Sequence, residues 1–214
     1  MKKDLTELVF IIDKSGSMSG LESDTVGGFN SLIEKQKAEG GDVVVTTVLF
    51  NHEMAYIHDR LDIKQVKKMT RKDYTAEGCT ALLDAVGNTV NHVIGVQSTL
   101  KDEFVPGKTM VVITTDGLEN SSKEFGYDAV KKLVERQKEL GWEFIFLGAN
   151  IDVYKEASRF GVDADKAVNY HCDSAGVGLN YEALSCAITE VKRKGSLGKA
   201  WRKGIDADFA NRKG

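Results

Sequence analysis

Short apolar runs of β-forming residues alternate with longer amphipathic stretches along nearly the whole chain, and that alternation leaves few folds open. Leu8–Ile12 is apolar and runs into Asp13 and a Gly/Ser-rich turn. Thr25–Glu39 follows with Val26, Phe29, Leu32 and Ile33 at helical spacing and stops at Gly40-Gly41, a fitting helix end. Val43–Phe50 is almost all β-branched and apolar, as expected of a buried strand. Glu53–Leu61 alternates more and predicts an edge strand, reached through Asn51-His52. Ile63–Met69 predicts a short helix, Thr70–Thr80 a polar loop and Ala81–Val96 a long amphipathic helix. The second half repeats the logic. Met110–Thr114, Glu143–Leu147 and Ala167–His171 read as strands, and Tyr127–Leu140, Val153–Phe160 and Tyr181–Lys194 as helices. The single proline, Pro106, falls in the loop before the Met110 strand. The expected fold class is α/β: a doubly wound, mostly parallel sheet with helices on both faces and one antiparallel edge strand.

The 214 residues, 42% of them hydrophobic, suit one globular domain with a sizeable core and exclude intrinsic disorder. The longest apolar runs, Leu8–Ile12 and Val43–Phe50, fall far short of the ~20 residues of a membrane-spanning helix. The opening MKKDLTELVF lacks the apolar stretch of a signal peptide. Cys79, Cys172 and Cys186 are odd in number and widely spaced. They support neither a disulfide framework nor a zinc cluster, and the expected location is the cytoplasm.

The net charge of −3 conceals an asymmetry, because Lys192–Gly214 holds eight basic residues and two acidic ones. The expected division is a domain over residues 1–194 and a basic C-terminal tail over 195–214. Such a tail suits nucleic acid or another polyanion. The blander and favoured reading is a terminus that solubilises the chain or folds back on its acidic body.

Open α/β sheets bind ligands at the carboxyl ends of strands near a topological switch point. That directs attention to the loops after Ile12, before Ala81 and after Thr115. The first, Asp13-Lys14-Ser15-Gly16-Ser17-Met18-Ser19-Gly20, offers one carboxylate with hydroxyls at two-residue intervals. Such oxygen donors suit a hard divalent cation such as Mg²⁺. Thr80 stands where a helix should begin, and its plain role is an N-cap. Asp116 ends a buried strand, where Asp-Gly plainly marks a turn.

Together these residues resemble a known family. Asp13-x-Ser15-x-Ser17, then Gly-x-Thr-Ala-Leu around Thr80, then Thr-Asp-Gly at Asp116 look like the von Willebrand factor type A (vWA) domain, over residues from about Leu5 to His171. The likeness is to stand-alone bacterial or phage-type members. It implies a Rossmann-like fold and a metal-ion-dependent adhesion site (MIDAS). Ser15, Ser17 and often Thr80 would bind the cation through their hydroxyls. Asp13 and Asp116 would act mostly one step back, through water or the serines. The implied cation is Mg²⁺, with Mn²⁺ or Ca²⁺ as substitutes, and its open position would accept an Asp or Glu of a protein partner. Cys79 departs from the glycine that many members carry before the threonine; it is expected to be small, buried and apolar. Glu119 is expected to be a solvated loop charge.

Other motifs are weaker. Gly176-Val177-Gly178 suggests a dinucleotide loop, but Tyr181 occupies the position of its third glycine. Gly16-Ser17-Met18-Ser19-Gly20 lacks the Gly-x-Ser-x-Gly spacing of a nucleophile elbow. His52, His58, His92 and His171 are dispersed and read as satisfied core or surface residues. No base or nucleophile emerges, so a non-enzymatic binding module is expected. Action of the basic tail on a polyanion stands as the alternative, and a metal-dependent phosphoester hydrolase as a remoter one.

Overall fold

The structure, a computed structural model, describes residues 2–212. Its strands are β1 (Lys2–Asp13), β2 (Asp42–Phe50), β3 (Met54–Asp62), β4 (Pro106–Thr115), β5 (Glu143–Gly148) and β6 (Ala167–Asn169). Its α-helices are α1 (Glu22–Glu39), α2 (Leu82–Thr99), α3 (Tyr127–Glu139), α4 (Val153–Arg159), α5 (Ser174–Lys194) and α6 (Lys203–Asn211). The strands form one sheet in the order β3-β2-β1-β4-β5-β6, parallel throughout except for β3, which pairs antiparallel with β2 at the edge. The doubly wound, mostly parallel α/β fold is therefore the one expected.

The two-residue period of β1 divides the core. Leu8, Phe10 and Ile12 face the layer built by α1 and α5, and Val9 and Ile11 face the layer of α2, α3 and α4. The predicted apolar face of α1 (Val26, Phe29, Leu32, Ile33) is buried throughout. It ends where Gly40 and Gly41 take φ of +71° and +94°, values that glycine adopts without steric cost.

α1 and α5 approach closely because Gly28 leaves room for the ring of Tyr181. A Cβ at position 28 would sit 2.1 Å from the ring. Gly28→Ala is therefore expected to push the two helices apart and to lower stability by about 1–3 kcal/mol, the usual cost of over-packing. Urea unfolding of the variant measures it.

Local expectations failed in three places. Ile63–Met69 forms only one 3₁₀ turn, Ile63–Gln65, and then runs on in irregular form. Tertiary burial of Ile63, Val66 and Met69 against the α1 layer replaces the helix that their spacing suggested. Pro106 opens β4 instead of lying in a loop; the first position of a strand tolerates its missing N–H. α5 begins seven residues earlier than expected, because Asp173 caps it by accepting from Gly176 N at 2.8 Å. Gly176 and Gly178 thus lie inside a helix.

Residues 195–212 fold against the α5 layer. Lys199–Arg202 makes a 3₁₀ turn, α6 follows, and Leu197, Trp201 and Ile205 are buried in the core. Four of the basic residues beyond Val191 are paired with carboxylates: Lys192 with Glu39, Lys194 with Glu190, Arg202 with Asp206, and Arg212 with Asp173 and Asp208. Lys213 and Gly214, the end of the expected tail, lie outside the described residues. Among the described residues no helix is long and apolar enough to cross a membrane.

Candidate metal centre

The strand order turns back between β1 and β4: β2 and β3 extend the sheet to one side, β5 and β6 to the other. Asp13 ends β1, and Asp116 directly follows Thr115 at the end of β4. Topology thus brings two carboxylates to one edge of the sheet, at its switch point.

Asp13 is fully buried, and both its oxygens are engaged. Oδ1 accepts from Ser15 N at 2.6 Å, which folds the loop back, and Oδ2 accepts from Thr115 Oγ1 at 2.6 Å, which ties β1 to β4. Burial pushes the Asp13 carboxyl up to about 6; the bonds from Thr115 and Ser15 oppose that rise, and the neighbouring Asp116 adds to it. Beneath the loop, the hydroxyl of the buried Tyr74 donates to the main-chain oxygen of Asp13.

Ser17 Oγ donates to Asp116 Oδ1 at 2.5 Å and lies 3.1 Å from Ser15 Oγ, so the two serines and Asp116 form one hydrogen-bonded chain. Ser15 is buried and Ser17 is exposed. The main chain around them is held by Lys14 N to Phe50 O at 2.7 Å and Gly16 N to Gly78 O at 3.0 Å.

Thr80 does not cap α2. That work is done from another loop, where Glu119 Oε2 accepts from Leu83 N at 2.9 Å and Ser122 Oγ accepts from Asp84 N at 3.0 Å. Glu119 also accepts from Ser121 N, Ser122 N and Ser122 Oγ, so it is not the solvated charge expected. Asn120 clamps the Thr80 main chain, accepting from Thr80 N at 2.9 Å and donating its own N–H to Thr80 O at 3.0 Å. The Thr80 hydroxyl is left for the site. A Cβ on Gly117 would lie 3.3 Å from Ser17 Oγ and 3.4 Å from Thr80 Oγ1. Both hydroxyls border one small space that a side chain at 117 would fill.

Asp13, Ser15, Ser17, Thr80 and Asp116 therefore converge, although they span more than one hundred positions of the chain. Hydroxyl and carboxylate oxygens around a cradle of this kind fit a hard divalent cation. Among the described residues no cluster of three or more His, Cys, Asp or Glu is placed to hold a metal, so this donor set depends on its hydroxyls.

Asn120 carried no sequence signal of its own, and although Thr115 and Gly117 stand in the Thr-Asp-Gly motif, only the fold shows what each holds. Cys172, beyond β6, donates its thiol to Asp116 Oδ2 at 3.4 Å. Burial and the Asp116 charge push that thiol up to about 12, which keeps it protonated at neutral pH. Cys79 is exposed, contrary to expectation; its neighbour Gly78 accepts from Gly16 N in the metal loop. Three of the histidines have settled structural places. His58 is buried, bonded to Thr47 and to Lys67 O; His92 meets Asp59 at 2.9 Å, and His171 stacks on Phe209.

No family model and no curated protein matches the sequence. The fold does have counterparts among solved structures. The vWF domain of the type V pili tip protein Mfa5 from Porphyromonas gingivalis superposes with a TM-score of 0.63 at 11% identity, over 90% of this chain and 98% of that one. The manganese-loaded TRAP protein of Plasmodium vivax gives 0.58 at 16% identity, over 84% of this chain and 73% of that one. Proximal thread matrix protein 1 of the mussel byssus, with a zinc-occupied MIDAS motif, gives 0.56 at 14% identity, over 84% of this chain. The chain spans less than half the length of that mussel protein. The fold is that of a vWA domain.

Proposed function

We propose that this vWA-fold chain is a divalent-cation-dependent protein-binding module. Ser15, Ser17 and Thr80 hold Mg²⁺, or Mn²⁺ or Ca²⁺ in its place, through their hydroxyls, and Asp13 and Asp116 stand behind them. The observation that carries this reading is the meeting of the Ser17 and Thr80 hydroxyls at the cradle of Gly117, with Ser15 Oγ 3.1 Å from Ser17 Oγ and few carboxylates beside them. Asp13 has both oxygens committed to Ser15 and Thr115, so it braces the loop and neutralises charge at a distance. When bound, the cation supplies an electrophilic position for an incoming carboxylate oxygen. A partner presenting an exposed Asp or Glu matches that chemistry.

The metal-loaded TRAP and byssus proteins support a divalent cation in this fold. The free thiols of Cys79, Cys172 and Cys186 support a cytoplasmic setting. The polyanion reading loses some ground because two basic residues of the tail, Arg202 and Arg212, are engaged with the chain's own carboxylates. The reading as a binding module, not an enzyme, is supported by the pilus-tip and byssus proteins that share the fold.

A pull-down with the immobilised chain tests the proposal. Partner retention in millimolar Mg²⁺ should be lost on adding chelator and should be absent from the Ser15→Ala and Asp13→Ala variants. Retention indifferent to both would sink the mechanism.

A further inference from the structure

Asp116 reaches the metal centre from the end of β4, and both ends of its carboxylate are held. The residue is buried, 2% exposed. Oδ1 accepts from Ser17 Oγ at 2.5 Å, and Oδ2 accepts from the Cys172 thiol at 3.4 Å. Ser17 comes from the loop after β1 and Cys172 from the turn after β6, so Asp116 is gripped from two separate elements of the sheet edge. Asp13 is gripped likewise, by Ser15 N and Thr115 Oγ1. Each carboxylate oxygen of the donor set therefore has a hydrogen-bond donor from the chain. Of those donors only Cys172 lies outside the metal motifs.

The turn that carries Cys172 is fixed on either side of it. His171 stacks on Phe209 of α6 with ring centroids 4.7 Å apart, and its Nε2 lies 3.3 Å from Phe209 O. Asp173 accepts from Gly176 N at 2.8 Å and from Arg212 at 2.5 Å. The start of α5 passes so close that a Cβ on Gly176 would stand 2.0 Å from His171 O, a position that only glycine can fill. Cys172 itself is half-buried and packs against the core layer of α1 and α5. A thiol on so fixed a turn has little freedom left to lose when it bonds, so even this weak donor can set the direction of a carboxylate.

We propose that Cys172 is a positioning residue of the metal centre, its thiol fixing Asp116 Oδ2 so that Oδ1 keeps its bond to Ser17. This role rests on the cation reading of the site and adds to it a residue from outside its motifs. A carboxylate held at one oxygen can turn about its last bond, whereas one held at both keeps a single direction. Ser17, bonded to Asp116, then keeps its hydroxyl beside that of Ser15. Groups that orient the ligands of a metal from behind are worth about tenfold or more in affinity. A thiol, as a weak donor, belongs at the low end of that range.

Mn²⁺ titration of the full chain, followed by electron paramagnetic resonance, separates this role from simple packing against the core. Cys172→Ala and Cys172→Val remove the donor with side chains smaller and larger than cysteine, and Cys172→Ser puts a hydroxyl donor in its place. Both donor-free variants should weaken Mn²⁺ several-fold, and Cys172→Ser should bind close to wild type. Circular dichroism confirms that each variant is folded; if one donor-free variant unfolds, the other carries the test. Unchanged affinity in the donor-free variants would overturn the role. So would a gain in affinity, or a loss that Cys172→Ser shares in full, since packing and not the hydrogen bond would then be at work. A wild-type chain that binds no Mn²⁺ would overturn the cation reading and this role together, whereas a wild type that binds beside donor-free variants that bind equally well removes the role alone.

Discussion

Trp201→Ala should destabilise the fold by about 3–5 kcal/mol, the range for deleting a large buried aromatic side chain. Trp201 is 7% exposed and belongs to the core cluster that also contains Tyr181, Leu184, Ile188 and Val191 of α5. Its indole Nε1 donates to Asp165 O at 3.1 Å, just ahead of β6. The substitution therefore opens a cavity and also strands a carbonyl. Urea unfolding should show a lower midpoint with little change in slope, since the surface exposed on unfolding hardly changes. A midpoint equal to wild type would mean that residues 195–212 are loosely attached and that their basic side chains are free for other work. The same contacts predict that deleting Gly195–Gly214 costs stability before it reveals anything about polyanion binding.

Divalent cation should raise Tm in a way that depends on the cradle at Gly117. A ligand that binds only the folded state adds about 2.7 kcal/mol at one hundred times its dissociation constant. For a chain of this size that corresponds to a Tm rise of about 5–10 °C. Ser17→Ala should abolish most of the shift, although it also takes from Asp116 Oδ1 the hydroxyl that donates to it in the unliganded protein. Gly117→Ala is the sharper variant, because its methyl group would stand 3.3 Å and 3.4 Å from the Ser17 and Thr80 hydroxyls. It should keep the fold and lose the response. Asp13→Ala is less clean, since it also leaves Thr115 Oγ1 without the carboxylate it donates to. Melting curves in Mg²⁺, Mn²⁺ and Ca²⁺, against a chelator baseline, measure all three. An unshifted wild type at millimolar cation would count against the metal centre.

The order of residues revealed most of the architecture, because the burial period of a strand or helix is written locally. Val43–Phe50 had to be a buried strand wherever it lay, and Leu32 and Ile33 had to share a face with Phe29. The oxygen-rich segments were legible for a related reason. In a parallel α/β sheet the loops that follow the strands gather at one edge, so Asp13 and Asp116 could be placed together before any contact was known. Local reading failed where distant packing overruled propensity. Ile63, Val66 and Met69 lie at helical spacing yet serve as apolar plugs on an irregular segment, and the N-terminus of α5 was hidden among glycines until Asp173 was seen to cap it.

The site divides along the same line. Its carboxylates and hydroxyls stand in the sequence as motifs, but which of them is free to act was decided by partners far away along the chain. Thr80 keeps its hydroxyl because Glu119, on a loop 39 residues later, supplies the helix cap. Asp13 braces the loop because Thr115 arrives from the next strand, 102 residues on. Tyr74, Tyr170 and Tyr181 come from three separate segments that the fold buries in one core cluster. Periodicity records which side of an element is buried; which atoms then meet is set by ångström-scale packing between segments that the sequence keeps apart.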